Sequence, residues 1–170
     1  LGLLIGLFVD SRQVGFSYLL SYMFFLSLCL GGLFLTIIHH LFDAAWSAPI
    51  RRVAEQLACG SVAMALLFIP LAFLAPRLYS WMDPASAGPI LHAKSGYLNK
   101  PFFYLRAIVM FAVWIFLSHR LRYWSLRQDQ TGAAESTYKM RVLAGAGVFL
   151  FALTLTMAAI DWMKSLQFQW

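Results

Sequence analysis

Polar and apolar positions along this chain fall into long blocks rather than a period. Residues 13–42, 56–76 and 142–160 carry no formal charge. A fourth block, Pro101 to Leu121, is interrupted only by Arg106 near its start and Arg120 near its end. A helix rises ~1.5 Å per residue, so about 20 residues cross the ~30 Å hydrocarbon core of a bilayer. Each block meets that length. The blocks are apolar all round with no alternation, which argues against lipid-exposed strands, because unpaired strand edges cannot be satisfied in hydrocarbon. The pattern therefore predicts an all-α integral membrane protein, a polytopic helical bundle with full spans near 14–42, 54–76, 101–121 and 140–163. Leu1 to Val9 is apolar but too short to span. With no basic segment before it and no small-residue cleavage site after it, it reads as the end of a partial N-terminal helix. Together with the stop just past the last span, this predicts a fragment of a larger bundle.

Composition sharpens this. Hydrophobic residues make up 61% of the 170 and charged residues 12%, against roughly 45–50% and about 25% in soluble domains. Disorder needs the opposite balance. Two cysteines exclude a disulfide scaffold and a four-cysteine metal site. The net charge of +6 is then loop bias at a membrane surface, and no nucleic-acid partner is expected.

The links between spans set the orientation. One side holds Arg12, Arg77, Lys94, Lys100 and Lys164, with Arg106 if it snorkels back. The other holds Arg51, Arg52, Arg120, Arg122, Arg127, Lys139 and Arg141, and the positive-inside rule makes it cytoplasmic. Trp46 and Trp124 mark that interface; Tyr79, Trp81, Tyr97 and Trp162 mark the opposite one. Residues 77–99, with Pro84, Gly88 and Pro89, cannot form one regular helix. Residues 122–140 are the most polar stretch, and Gln128 to Gly132 reads as a turn. Asn99 before Pro101 predicts a capped helix start. Pro70 inside the second full span removes one backbone hydrogen bond.

Candidate chemistry lies at the span ends. His39, His40 and Asp43 close the first full span; His39 and Asp43 are four apart and share a face. Glu55 opens the next span behind Arg51 and Arg52. Imidazoles and carboxylates at a membrane face can relay protons. The plainer alternative is interfacial anchoring by an Arg–Glu pair at helical spacing. His119 opposite His39 or His40 would permit a bis-histidine b-type haem. Asp161 stands near the end of the last span, where an acid is a functional candidate. Its partner is either Lys164, three residues on, or Arg106, which can turn inward. His92 lies in the loop on the same side. Gly2/Gly6 and Ser27/Gly31 are small-residue pairs that let helices approach closely. Thr36, Thr154 and Thr156 can bond their own backbone or a neighbour. Cys29 and Cys59 differ in depth, so no disulfide between them is expected.

Four runs carry a resemblance: HHLFDAAWSAPIRRVAE (His39 to Glu55), HAKSGYLNKPFFYLR (His92 to Arg106), RYWSLRQDQTG (Arg122 to Gly132) and FALTLTMAAIDWMKSL (Phe151 to Leu166). In this order they resemble the F subunit of alternative complex III, a bacterial quinol:cytochrome c (or copper protein) oxidoreductase, itself similar to the NrfD/polysulfide-reductase membrane family. The resemblance covers nearly the whole chain and corresponds to the N-terminal half of a bundle of about ten spans. It implies a multi-pass subunit of the bacterial inner membrane that assembles with membrane and periplasmic haem and iron–sulfur subunits. Lipid surrounds it, and quinone or quinol is its possible ligand, with no cofactor bound by this chain alone. It places His39, His40, Asp43 and Glu55 in a cytoplasmic-side polar cluster and His92, Arg106 and Asp161 on the periplasmic side, as proton- or quinone-site candidates. The competing class is a secondary transporter with a midplane site at broken helices.

Overall fold

The computed structural model describes residues 11–43, 45–82 and 94–167. The partial helix expected over Leu1 to Val9 and the loop residue His92 lie outside them. Among the described residues there are helices and short turns and no strand, and they form an all-α membrane bundle. Helix α1 spans Ser11–Phe42, α2 Arg51–Cys59, α3 Ser61–Leu78, α4 Lys100–Thr131 and α5 Ala134–Ala158. A 3-10 segment, Ala45–Ile50, leads into α2, and α5 continues through a π-helical turn, Ala159–Met163, into a 3-10 turn, Lys164–Leu166. With their short extensions these elements make four segments long and apolar enough to cross a membrane: Arg12–Phe42, Trp46–Leu78, Lys100–Thr131 and Ala134–Leu166.

Two of these differ from the sequence expectation. The span expected over 54–76 is two helices, α2 and α3, joined at Gly60. The polar stretch 122–140, expected as a loop, is helix up to Thr131, and the turn narrows to Gly132 and Ala133. Gly132 takes φ 62, the left-handed conformation that ends helices. Arg122 and Asp129 of that stretch pair with α2, so these two do not need a solvated loop. At ~1.5 Å per residue the 32 residues of α4 are about 48 Å long, so α4 tilts or projects well beyond the ~30 Å core.

Outward faces carry Leu20, Leu66, Phe73, Ile108, Phe149 and Leu153, all more than half exposed. An apolar belt of this extent fits lipid and not water. Inside, α1 packs on α2, α3 and α5, while α4 lies along α5 and touches α1, α2 and α3. Trp114 and Trp162 are fully buried and meet edge to face at 5.9 Å, with Phe111 stacked on Trp162 at 5.6 Å. Phe68 closes the cluster from α3 at 5.0 Å. Tethers made by hydroxyls align the helices. Thr154 accepts from Trp114 Nε1 at 3.0 Å and donates to its own backbone. Thr36 and Thr156 bond only backbone four residues back. Pro76 deprives the Ala72 carbonyl of its intrahelical donor, and Tyr104 supplies the missing bond from α4 at 3.0 Å.

The close helix approach is at Gly32, not at the Ser27/Gly31 pair. A Cβ on Gly31 meets nothing within 4 Å. A Cβ on Gly32 would stand 2.7 Å from Leu57 Cβ and 2.8 Å from the Ala54 carbonyl oxygen. Gly32→Ala therefore forces α1 and α2 apart. We expect it to destabilise by about 1–3 kcal/mol, the usual cost of overpacking, while Gly31→Ala leaves thermal unfolding unchanged.

Candidate functional site

The charged side chains form two buried networks near opposite ends of the bundle. Ser125 and Arg106 anchor them on the same helix, 19 residues apart (125 − 106), or about 28 Å along its axis.

Glu55 is the hub of the first network. The preceding 3-10 segment delivers α2 with Arg51, Arg52 and Glu55 one turn apart, and packing on α1 and α4 buries Glu55 to 1% exposure. Arg51 Nε donates to its Oε1 at 3.1 Å and Arg52 donates to Oε2 at 2.5 Å. Ser125 from α4 donates a short bond to Oε1. Arg51 reaches on to the Ser125 carbonyl at 3.3 Å, and both arginines pair with Asp129 on α4. Arg122 joins α4 to α2 again through Gln56 at 2.6 Å. Charge-assisted bonds to both oxygens are the strong class of hydrogen bond. They offset the cost of removing this carboxylate from water.

His40 adds the histidine expected in this cluster. It is 5% exposed, and its Nε2, without a hydrogen-bond partner among the described residues, stands 3.8 Å from Glu55 Oε1. His39 is edge-on to His40 at 4.9 Å and shares a 2.7 Å bond through Nδ1 with Ser47. Asp43 sits just past α1 at φ 47, a conformation aspartate tolerates better than most residues, and pairs with Arg141 about two turns into α5. His119 is exposed and its Nδ1 contacts the Ile115 carbonyl of its own helix at 3.1 Å. Among the described residues no three of the His, Cys, Asp and Glu side chains converge as a metal site. Cys29 and Cys59 are both free thiols.

Arg106 and Asp161 form the second network. Asn99 caps α4, its Oδ1 accepting from Phe102 N at 2.9 Å, and this fixes the register that points Arg106 inward. Arg106 Nε donates to Asp161 Oδ2 at 2.6 Å and its Nη2 to Oδ1 at 2.9 Å, a two-pronged pair with Asp161 fully buried and Arg106 5% exposed. Of the two partners open to Asp161 from sequence, Arg106 holds both carboxylate oxygens. The guanidinium also donates to the Tyr97 carbonyl at 3.0 Å and lies 3.9 Å from the Tyr97 ring centre and 4.5 Å from that of Phe102. Burial, and after it the Asp161 carboxylate, pushes the Tyr97 phenol up to about 12, so it remains a neutral donor.

Asp161 continues the buried row of Phe151, Thr154 and Ala158 at ordinary helical spacing, and it lies within the π-helical turn Ala159–Met163. Its widened backbone is satisfied from outside the helix ladder. Tyr79 donates to the Trp162 carbonyl at 3.0 Å, and Ser165 donates a short bond to the Asp161 carbonyl. Sequence reading marks Tyr79 and Tyr97 only as interfacial aromatics. Nothing in the spacing of residues 159–163 signals a π turn. Trp162 Nε1 is buried without an acceptor among the described residues, beside the aromatic cluster.

The serine hydroxyls that meet a base, Ser125 at Glu55 and Ser47 at His39, are themselves part of the structural hydrogen bonding. What the two networks offer chemically is buried charge held at fixed depth near both membrane faces. Compared with protein-family models and with curated proteins, the chain gives no match.

Proposed function

We propose that this chain is a membrane subunit of a bacterial respiratory quinol:cytochrome c (or copper protein) oxidoreductase, of the alternative complex III F-subunit type, in the inner membrane. One observation carries the reading. The four sequence runs of the resemblance pair off as the two buried networks. His40, Arg51, Arg52 and Glu55 from the first run meet Arg122, Ser125 and Asp129 from the third. Tyr97 and Arg106 from the second meet Asp161 from the fourth. Scattered interfacial anchors have no reason to interlock in this way. In this reading Arg106 and Asp161 face the quinol-oxidising, periplasmic side, and His39, His40, Asp43 and Glu55 handle protons or hold the cytoplasmic end. The chain contributes buried charge and packing surface to electron transport, and redox centres reside in partner subunits.

Affinity purification of the tagged chain from native membranes tests this. The expected result is co-purification with multihaem cytochrome and iron–sulfur subunits, and quinol-dependent reduction of cytochrome c by the eluate. A chain that elutes without redox partners and moves a solute in proteoliposomes would replace this reading with a transporter.

A further inference from the structure

We propose that Arg120 and Arg127, gathered around Trp124, form a binding site for the phosphate of an anionic phospholipid on the outer flank of α4 and α5.

Residues 120, 123, 124 and 127 fall on one stripe of α4 by helical spacing. The Arg120 guanidinium lies 5.3 Å from the Trp124 ring centre and 5.6 Å from that of Tyr123. Arg127 approaches Trp124 at 5.3 Å, and Lys139 of α5 reaches the same ring at 4.4 Å. Three cations thus share one indole. A guanidinium held over a ring carries five N–H donors, which a phosphate can accept from.

Charge bookkeeping at this end of the bundle leaves three cations over, and Arg122, one of them, is half-buried and engaged by Gln56 Oε1 at 2.6 Å. Arg51 and Arg52 are neutralised by Glu55 and Asp129, Arg141 by Asp43, and Lys139 by Glu135 at 2.5 Å. Glu135 also lies near Arg127, but Lys139 holds its carboxylate. Among the described residues, Arg120 and Arg127 are the two of these three that are exposed, and neither has a carboxylate partner. This exposed pair therefore retains two uncompensated positive charges, about 10 Å apart along the helix.

The surroundings choose the occupant. One turn toward the bilayer from Arg120 stands Phe116, and one turn from Lys139 stands Val142, each 56% exposed. Cations at an aromatic-marked interface, directly above an apolar outward wall, match a headgroup with its acyl chains. A free anion has no use for the wall.

Native mass spectrometry of the full chain ejected from phosphatidylcholine nanodiscs doped with phosphatidylglycerol tests the site. The wild type is expected to retain phosphatidylglycerol in preference to phosphatidylcholine. Each surface Arg adds about fivefold to anionic-lipid affinity, so R120Q/R127Q should lower the preference by about thirtyfold. R12Q/R77Q, the same charge change at the opposite end, should not. Should R120Q/R127Q fail to fold, R127Q alone carries the test at about fivefold. Unchanged retention in R120Q/R127Q, an equal loss in R12Q/R77Q, or displacement of the lipid by inorganic phosphate would overturn the proposal.

Discussion

Asp161→Ala should destabilise the bundle by about 3–5 kcal/mol, the cost of leaving a buried charge without its partner. Arg106 is 5% exposed and lies under Tyr97 and Phe102, so it has little route to water once the carboxylate is gone. Thermal unfolding in detergent measures the loss. The decisive comparison is the double variant Arg106→Met/Asp161→Leu. It removes both charges and substitutes apolar volume, and buried pairs replaced in this way lose little or gain stability. The double variant is therefore expected to be more stable than either single one. A double variant as unstable as Asp161→Ala would show that the loss comes from packing around Trp162 and not from the orphaned charge. Separating the two also frees the functional question. If the double variant assembles and fails only in turnover, the pair serves the reaction and not the fold.

Glu55→Leu should cost less, about 3 kcal/mol, the low end of the same range. Its two arginines are 19% and 40% exposed and keep Asp129 as a counterion. The loss concentrates on Arg51, Ser125 and His40, which converge on one carboxylate oxygen. Hydrogen exchange should show the effect locally, as faster exchange of the α2 amides than of α3, with Gly60 as the boundary. Uniform acceleration through both helices would mean that α2 and α3 unfold as one element and that Gly60 is no break at all.

How far the sequence announces this structure depends on the kind of information each residue carries. The spans were legible because hydrocarbon imposes a length and forbids unpaired charge, and both constraints are local. The helical course of residues 122–131 was not. Arg122 and Asp129 look like loop residues until α2 supplies Gln56, Arg51 and Arg52 opposite them. Asp161 shows the same limit from the other direction. Spacing offered Lys164 and depth offered Arg106, and only the packing of α4 on α5 selects between them. Asn99 was readable because a cap is a contact within four residues. Gly31 and Gly32 are adjacent and chemically identical, so which one faces α2 is a matter of helix rotation that no pattern of small residues encodes.

The Arg106–Asp161 pair also has an order of synthesis. Its partners are 55 residues apart. At the usual ~5–20 residues per second of translation, Arg106 leaves the ribosome about 3–11 s before the acid that receives it. For that interval α4 must reside at the membrane with an unmatched cation, its side chain stretched toward the headgroups. The first spans thus wait in a shallow, unfinished arrangement until α5 emerges. Arrival of Asp161 then draws the guanidinium inward and locks α5 to α4, which makes α5 the element that fixes the depth of α4.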